Sequence, residues 1–202
     1  NMDIARVSGG LCAPQGFTAA GLHSGIVKQD TKKDLGLILS SVRCPAAAVY
    51  TKNKVQASPI TVTRHNLMDN MAQAILCNSG NANCCNADGE EIAQQMCNLA
   101  AKKLHIDGAD VLVGSTGVIG QPLPIAPIEG AITSLVNNLS TDGSRDFAKS
   151  IMTTYTVVKE IAVSFTLGSA TCKIGAAAKG SGMIHPNMGT MLAFLTTDVS
   201  IS

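Results

Sequence analysis

The chain has 202 residues with 15 basic and 14 acidic side chains, so its net charge of +1 offers no electrostatic footprint for nucleic acid or an anionic membrane. Hydrophobic residues make up 46 % and charged residues 14 %, which excludes a disordered chain and predicts a large buried core. The apolar stretches are far shorter than a membrane-spanning helix needs. No membrane or nucleic-acid partner is therefore expected.

The cysteines indicate the compartment. The chain has seven, none in a C-x-x-C pair, so neither a disulfide framework nor a zinc site is expected. Cys84 and Cys85 are adjacent, while the other five are scattered in apolar surroundings. The first ten residues lack the apolar core of a signal peptide. This pattern is typical of buried free thiols in a reducing cytosol, so a cytoplasmic protein is expected.

Apolar runs separated by turn residues predict the secondary structure. In chain order they predict strands at 35–42, 46–51, 58–64 and 72–80, a helix after Asp88, a strand at 110–115, helices at 125–139 and 144–152, and strands at 159–168, 171–176 and 191–199. Asp88 and Glu91 have the spacing of a capping box. With no repeat and no linker, residues 1–202 are predicted to form a single α/β or α+β domain.

The stretch KGSGMIHPNMGTMLAFLTTD (179–198) contains a Gly-Thr pair where a loop becomes an apolar strand. If the Gly189–Thr190 bond is broken, the free α-amine of Thr190 has a reference pKa of about 7.7–8.0 and can activate its own hydroxyl as a general base. Gly189 has no Cβ to obstruct an attack by that hydroxyl on the preceding carbonyl. The pair also suits an ordinary turn before a strand, so this pattern alone is weak.

Three other stretches bear on the chemistry. In VLVGSTGVIG (111–120) a strand ends in a turn bracketed by glycines. This turn can direct the Gly117 amide and the Thr116 hydroxyl at an oxyanion, or it can be a plain strand-to-helix turn. CNSGNANCC (77–85) is a loop, either structural or part of a pocket. Lys179 stands in an apolar stretch with no acidic residue within ten positions, so it either faces solvent or meets a carboxylate from outside the chain, and a substrate carboxylate would suit it.

The segments APQGFTAAG, KKDLGLI, NSGNAN, GSTGVIGQPLP, IMTTYT and AKGSGMIHPNMGTMLAFLTTD resemble, in order, those of the ornithine acetyltransferase family, the bifunctional glutamate N-acetyltransferases of arginine biosynthesis. The resemblance implies a layered α/β (α+β) sandwich with an N-terminal-nucleophile-like, self-cleaving acetyltransferase fold. It also implies a precursor about twice this length. Residues 1–189 would be the α chain and 190–202 the start of the β chain.

The resemblance further implies that Thr190 receives an acetyl group from N-acetylornithine and passes it to glutamate in a ping-pong cycle. It places cleavage after Gly189, the oxyanion pair at Thr116 and Gly117, and substrate contacts at Lys179 and Thr153, with Thr154 as the neighbouring register. No cofactor is implied, although some members accept acetyl-CoA as a donor. The expected assembly is a heterotetramer of two α and two β chains.

Three features depart from the family pattern. Gly189 replaces the usual alanine, Tyr155 replaces an aspartate, and the loop after NSGNAN reads Cys84-Cys85-Asn86-Ala87 in place of Ala-Cys-Thr-Gly. Two alternatives to the acetyltransferase therefore stay open. The same nucleophile can pass its acyl group to water, as in related amidohydrolases and aminopeptidases, or the chain can be a non-catalytic fragment that keeps the fold.

Overall fold

The computed structural model describes residues 4–154, 156–180 and 191–200. The described elements are β1 Ile4–Val7, β2 Phe17–Leu22, β3 Leu35–Pro45, α1 Ser58–Asn66, β4 Met71–Asn78, α2 Gly89–Leu104, β5 Val111–Ser115, α3 Ile125–Asn137, α4 Ser144–Ser150, β6 Lys159–Leu167, β7 Ala170–Lys179 and β8 Leu192–Thr197, with short 3-10 turns at Gly10–Cys12 and Gly108–Asp110. None of these helices is long and apolar enough to cross a membrane.

The described strands form two four-stranded sheets. The first sheet has the order β1-β6-β7-β8, and all its neighbours are antiparallel. The second has the order β2-β3-β4-β5, in which only β4 and β5 are parallel. Two parallel strands need a crossover connection, and α2 provides it. The carboxyl ends of β4 and β5 therefore lie side by side, which places the two loops that follow them together.

Alternating side chains of the second sheet build two cores, one on each of its faces. Leu37 and Leu76 point to the larger core, which the helices α2 and α3 close. Ile38 and Cys77, one residue further along each strand, point to a second core shared with α4 and the first sheet. In that second core Phe147 packs edge-to-face on Phe194 with ring centroids 5.2 Å apart. The result is a layered α/β sandwich.

The structure confirms most of the predicted elements. The predicted strands at 35–42, 72–80, 110–115, 159–168, 171–176 and 191–199 correspond to β3 to β8, and the helices after Asp88, at 125–139 and at 144–152 correspond to α2, α3 and α4. The structure also has β1 and β2, which were not predicted. β2 is rich in small residues, and its Gly21 lies so close to α4 that a Cβ would be 2.1 Å from the Asp146 carbonyl oxygen.

The strand predicted at 58–64 is wrong, because this segment is the helix α1. Pro59 lies in its first turn, where its missing N–H costs nothing and its fixed φ favours a helix. The buried residues Pro59, Val62, Thr63 and Asn66 recur every three to four positions. The period is helical, and the Val, Ile and Thr content of the segment concealed it.

The strand predicted at 46–51 is also wrong, since no strand is formed there. The ladder between β3 and β4 ends at Pro45, which lies opposite Met71, the first residue of β4, and one further bond runs from the Ala46 amide to the Asn70 carbonyl at 2.9 Å. Beyond it Val49 is 86 % exposed and is not packed in either core. From this segment Val49, Tyr50 and Thr51 form part of one wall of the cavity described below.

The predicted capping box at Asp88 is not formed. Asp88 is the N-cap of α2, but its side chain makes no capping hydrogen bond. Its φ of −95° and ψ of 6° differ from the extended conformation that lets an N-cap side chain reach back to the helix amides. Glu90 and Glu91 lie in the first turn, where their charge favours the helix dipole.

Candidate active site

The turn after β5 is fixed by the loop after β4. Gly117 has φ +135°, and a Cβ there would lie 2.3 Å from the carbonyl carbon of Gly80, so only glycine fits. Thr116 is buried, and its amide donates to the Asn78 carbonyl at 3.1 Å. The Thr116 donor that could face a substrate is therefore its hydroxyl, the donor predicted from the sequence.

The asparagine-rich loop that follows β4 is mainly a scaffold for this turn. The side-chain amide nitrogen of Asn78 donates to the Asn81 carbonyl at 2.9 Å, and the side-chain oxygen of Asn78 accepts from the Ser115 hydroxyl at 2.6 Å. Asn81 donates to the carbonyls of Gln121 and Pro122 at 3.0 and 3.1 Å. Because these side chains are committed to the protein itself, the loop meets the cavity through Ala82 and Cys84.

A cavity of about 410 Å³ opens beside the turn. Its described lining comes from the 49–57 segment, α1, β5, the loops after β4 and β5, and β8 with the residue before it. The residues are Val49, Tyr50, Thr51, Asn53, Val55, Gln56, Ala57, Pro59, Ile60, Thr63, Ala82, Cys84, Val113, Gly114, Ser115, Thr116, Gly117, Ile119, Met191, Leu192, Ala193 and Phe194. None of these lining residues is Asp, Glu, Lys, Arg or His. An uncharged wall with hydroxyl and amide groups suits a neutral acyl group better than an ammonium or a carboxylate.

The outer wall of the cavity is held to α1 through Arg64. Its guanidinium lies over the Tyr50 ring, 4.7 Å from the centroid, and donates to the Gln56 side chain at 3.2 Å. Gln56 in turn donates to the Thr51 carbonyl at 2.8 Å. Burial raises the pKa of Tyr50, and the nearby Arg64 charge partly opposes this shift. The segment is therefore anchored although it has no regular secondary structure.

Tyr50→Phe tests whether the phenol hydroxyl has a structural use. This oxygen is buried and has no hydrogen-bond partner among the described residues. An unsatisfied buried polar group costs about 1–3 kcal/mol. We therefore expect the free energy of unfolding of the variant to equal or exceed that of the parent protein. Urea denaturation measures this. A clear loss of stability in Tyr50→Phe would mean that the hydroxyl has a hydrogen-bond partner. Tyr50→Leu is the control, because it also removes the ring that lies under the Arg64 guanidinium.

The structure places the residues predicted for the site as follows. Thr116 and Gly117 lie on the cavity wall, as does Met191, the residue that follows Thr190 in the chain. Thr190 and Gly189 lie outside the described residues, and so does Tyr155. Thr153 is partly buried between α4 and β6, and neither it nor the exposed Thr154 is among the described residues that line the cavity. Their roles stay predictions.

Lys179 is the last residue of β7 and is 4 % exposed. Burial lowers its pKa, and the neighbouring Cys77 thiol partly opposes this shift. It pairs with Leu192 of β8 in the sheet register, although it is not itself among the described lining residues. The contact of Lys179 with a substrate carboxylate stays a prediction.

Sequence reasoning missed the wall formed by residues 49–57 and α1. The signal that could have revealed it is the helical period of α1, which puts Pro59 and Thr63 on one buried face. The Thr63 hydroxyl donates to the Val113 carbonyl at 2.9 Å and accepts from the Val113 amide at 3.1 Å. These bonds tie α1 to β5 directly before the Thr116–Gly117 turn.

The sequence matches the ArgJ family over residues 18–202. The chain belongs to the ArgJ family. It is 47 % identical to the arginine biosynthesis bifunctional protein ArgJ of Symbiobacterium thermophilum, covering 96 % of this chain and 49 % of that protein. For the Geobacillus kaustophilus protein of the same name the identity is 44 %, covering 98 % of this chain and 48 % of that protein. The chain thus spans about half the length of the curated relatives it matches.

Solved structures of the ArgJ family have the same fold. The arginine biosynthesis bifunctional protein of Bacillus halodurans superposes with a TM-score of 0.86 at 38 % identity, covering 95 % of this chain and 100 % of that one. The ornithine acetyltransferase of Mycobacterium tuberculosis, solved with ornithine, gives a TM-score of 0.81 at 30 % identity, covering 91 % and 98 %. The family and the layered α/β fold implied by the resemblance are both confirmed.

Proposed function

We propose that the full-length protein moves an acetyl group from N-acetylornithine to glutamate through an acetyl-Thr190 intermediate, after self-cleavage between Gly189 and Thr190. The observation that carries the proposal is that Met191, which is bonded to Thr190, lines the same cavity as Thr116 and Gly117. The names of the relatives support the pathway and the reaction class, since they are bifunctional proteins of arginine biosynthesis and an ornithine acetyltransferase.

Self-cleavage would proceed by transfer of the Gly189 acyl group from nitrogen to oxygen. The Thr190 hydroxyl attacks the Gly189 carbonyl, the C–N bond breaks as the nitrogen gains a proton, and an ester links the two residues. Water then hydrolyses the ester. The products are a carboxylate on Gly189 and a free α-amine on Thr190, which is the general base needed for the next reaction.

In acetyl transfer the Thr190 amine would take the hydroxyl proton as the oxygen attacks the acetyl carbonyl of N-acetylornithine. The developing oxyanion accepts hydrogen bonds from the Thr116 hydroxyl and the Gly117 amide. These donors are preorganised, because the turn is held by the loop after β4. Ornithine leaves with the proton, and the glutamate amine then attacks acetyl-Thr190 in the reverse sense. No cofactor is required, and acetyl-CoA is an additional candidate donor.

The first sheet supports a role for the β chain as partner. Ile161, Ala176 and Leu195 lie in register on neighbouring strands and on one face, with Ile161 47 % and Leu195 69 % exposed. An apolar sheet face of this kind is normally covered by another layer. Since the relatives are about twice as long, we propose that the remainder of the β chain covers it. From the family resemblance we also propose that two α and two β chains assemble.

The lengths of the matched chains support division of the precursor. This chain corresponds to 100 % of the Bacillus halodurans chain in its crystal structure but to 49 % of a full-length relative. Such a difference is expected if family members are cut into two chains. We therefore propose that 1–189 belongs to the α chain and that 190–202 begins the β chain.

Ornithine release with and without glutamate tests the reaction class. Without glutamate, a transferase releases only the one ornithine that is formed when Thr190 is acetylated. Further release requires glutamate to accept the acetyl group. Continuous ornithine release without glutamate would instead show that water is the acceptor and that the protein is an amidohydrolase. The uncharged and largely apolar lining favours exclusion of water, and therefore the transferase.

Lys179→Met tests the proposed contact with the substrate carboxylate. Losing a buried charged partner costs about 2 kcal/mol or more, so we expect KM for N-acetylornithine to rise about 30-fold or more. Lys173→Met, on the same strand but partly exposed, is the matched control. An unchanged KM in Lys179→Met would contradict the contact.

The lowered pKa of Lys179 also gives a pH dependence. The ammonium form must be present to hold a carboxylate, and it is lost as the pH rises through a pKa that lies below the ordinary lysine value. As the pH rises, binding of N-acetylornithine should therefore weaken at a lower pH than if the contact were made by a solvent-exposed lysine. Lys179→Met should abolish this pH dependence. Steady-state KM against pH measures it.

A further inference from the structure

Two thiols stand together at the cavity wall. The Sγ atoms of Cys84 and Cys85 are 3.7 Å apart. Cys84 is buried and lines the cavity beside Thr116 and Gly117, whereas Cys85 is exposed and does not line it. The adjacent pair therefore connects solvent to the wall of the proposed active site. Nothing in the proposed acetyl transfer uses either sulfur.

The separation of the two sulfurs suits one bridging atom. A disulfide needs an S–S distance of about 2.05 Å, far shorter than the separation observed. Two bonds of about 2.3 Å to one soft atom, at a tetrahedral angle, place the sulfurs about 3.8 Å apart. A structural zinc ion takes four ligands, but the described residues contain no group of three or more side chains that could hold a metal ion. A monosubstituted trivalent arsenical needs only two thiols, because its organic substituent occupies the third valence.

We propose that Cys84 and Cys85 form a vicinal dithiol site for trivalent arsenicals, and that occupation of this site blocks acetyl transfer at the adjoining cavity. With an arsine oxide R–As=O, two As–S bonds form, the As=O bond and two S–H bonds break, and one water leaves. Arsenic stays trivalent, so no oxidant or reductant is needed. The second half of the inference rests on the proposed function.

The other cysteines are poor competitors for the arsenical. Cys77 and Cys97 are fully buried, and burial raises the pKa of each thiol to about 12. Burial also raises the pKa of Cys12 to about 11. Burial raises the pKa of Cys84 as well, but Cys85 beside it is exposed, so the first As–S bond forms at Cys85 and the adjacent Cys84 closes the ring.

Backbone hydrogen bonds connect this pair to the oxyanion turn. The Cys84 carbonyl accepts from the Gly120 amide at 2.9 Å, and the Ala82 amide donates to the Val118 carbonyl at 2.9 Å. Both partners lie within three residues of Gly117. The bridging atom and its organic substituent add bulk to a wall that Cys84 shares with Gly117, and these backbone bonds transmit the strain to the turn, where a shift of about 1 Å can cost about 10²-fold in rate.

The test treats the full-length protein with phenylarsine oxide, washes it with excess glutathione, and measures intact mass and acetyl transfer. A single-thiol adduct is displaced by the monothiol, whereas the bridged adduct is retained and is removed by 2,3-dimercaptopropanol. We expect one phenylarsenic group on the wild type and on Cys44→Ser, which lacks a different, partly buried cysteine. We expect none on Cys85→Ser, an exposed substitution outside the cavity lining, or on Cys84→Ser.

Acetyl transfer should fall about 10-fold or more in the treated wild type, since the cost of displacing the turn is large, and should be unchanged in treated Cys85→Ser. A retained adduct on Cys85→Ser, or no adduct on the wild type, would overturn the site. An adduct without loss of rate would overturn the blockade. If the untreated protein transfers no acetyl group, the proposed function fails, and the mass measurement still decides whether the dithiol site exists.

Discussion

Replacing Thr190 with alanine is expected to abolish both self-cleavage and acetyl transfer. In the proposed chemistry one oxygen attacks first the Gly189 carbonyl and then the acetyl group, so its removal leaves neither reaction with a nucleophile. Intact mass should show one uncut chain, and ornithine should not be released from N-acetylornithine. The fold should be retained, since the change removes one hydroxyl and one methyl group.

Thr190→Ser is the matched control for this prediction. It keeps the hydroxyl and the potential α-amine, so cleavage and transfer should both be detectable, at altered rates. Cleavage that proceeds unchanged in Thr190→Ala would show that another residue, or another protein, cuts the chain. Normal transfer by that variant would remove Thr190 from the mechanism altogether.

Gly117→Ala is expected to lower acetyl transfer by about 10²–10³-fold, the usual cost of losing an oxyanion donor. The added Cβ would lie 2.3 Å from the Gly80 carbonyl carbon and 2.5 Å from the Asn81 nitrogen, so the turn must move away from the loop that supports it. Gly117 also has φ +135°, which an alanine adopts at a cost of about 1–3 kcal/mol. Rates of ornithine release and urea denaturation measure the two effects.

Gly120→Ala separates the clash from the backbone strain. Gly120 lies in the same turn region and has φ +76°, but no atom of the described residues lies within 4 Å of a Cβ placed there. We expect this variant to lose stability through strain alone and to keep most of its transfer rate. If the two variants had equal rates, the close fit between Gly117 and the loop after β4 would have no role in catalysis.

Elements with a strong local period could be predicted from the sequence, and elements that depend on distant partners could not. The helix α2 has a clear apolar stripe, and β4 and β5 are short, mainly apolar segments that run into loops. By contrast the strand-favouring residues of α1 conceal its helical period, and the helix is stabilised where Thr63 and Val62 pack against β5 and the larger core. Tertiary packing outweighs intrinsic propensity there.

The candidate site divides in the same way. The glycine-bracketed turn at Thr116 and Gly117 could be found because its residue types are restricted by local backbone geometry. The wall at Tyr50 could not, since it depends on Arg64 reaching back from α1. The role predicted for Thr190 came from the family resemblance, because a Gly-Thr pair before a strand also suits an ordinary turn.

The most direct test of the proposed mechanism is the intact mass of the full-length protein after mixing with N-acetylornithine. We expect two chains that meet between Gly189 and Thr190, with one acetyl group on the chain that begins at Thr190. That result would establish cleavage and the acyl-enzyme in one measurement. A single uncut chain without an acetyl group would contradict the proposal and show that the ArgJ fold is present here without its chemistry.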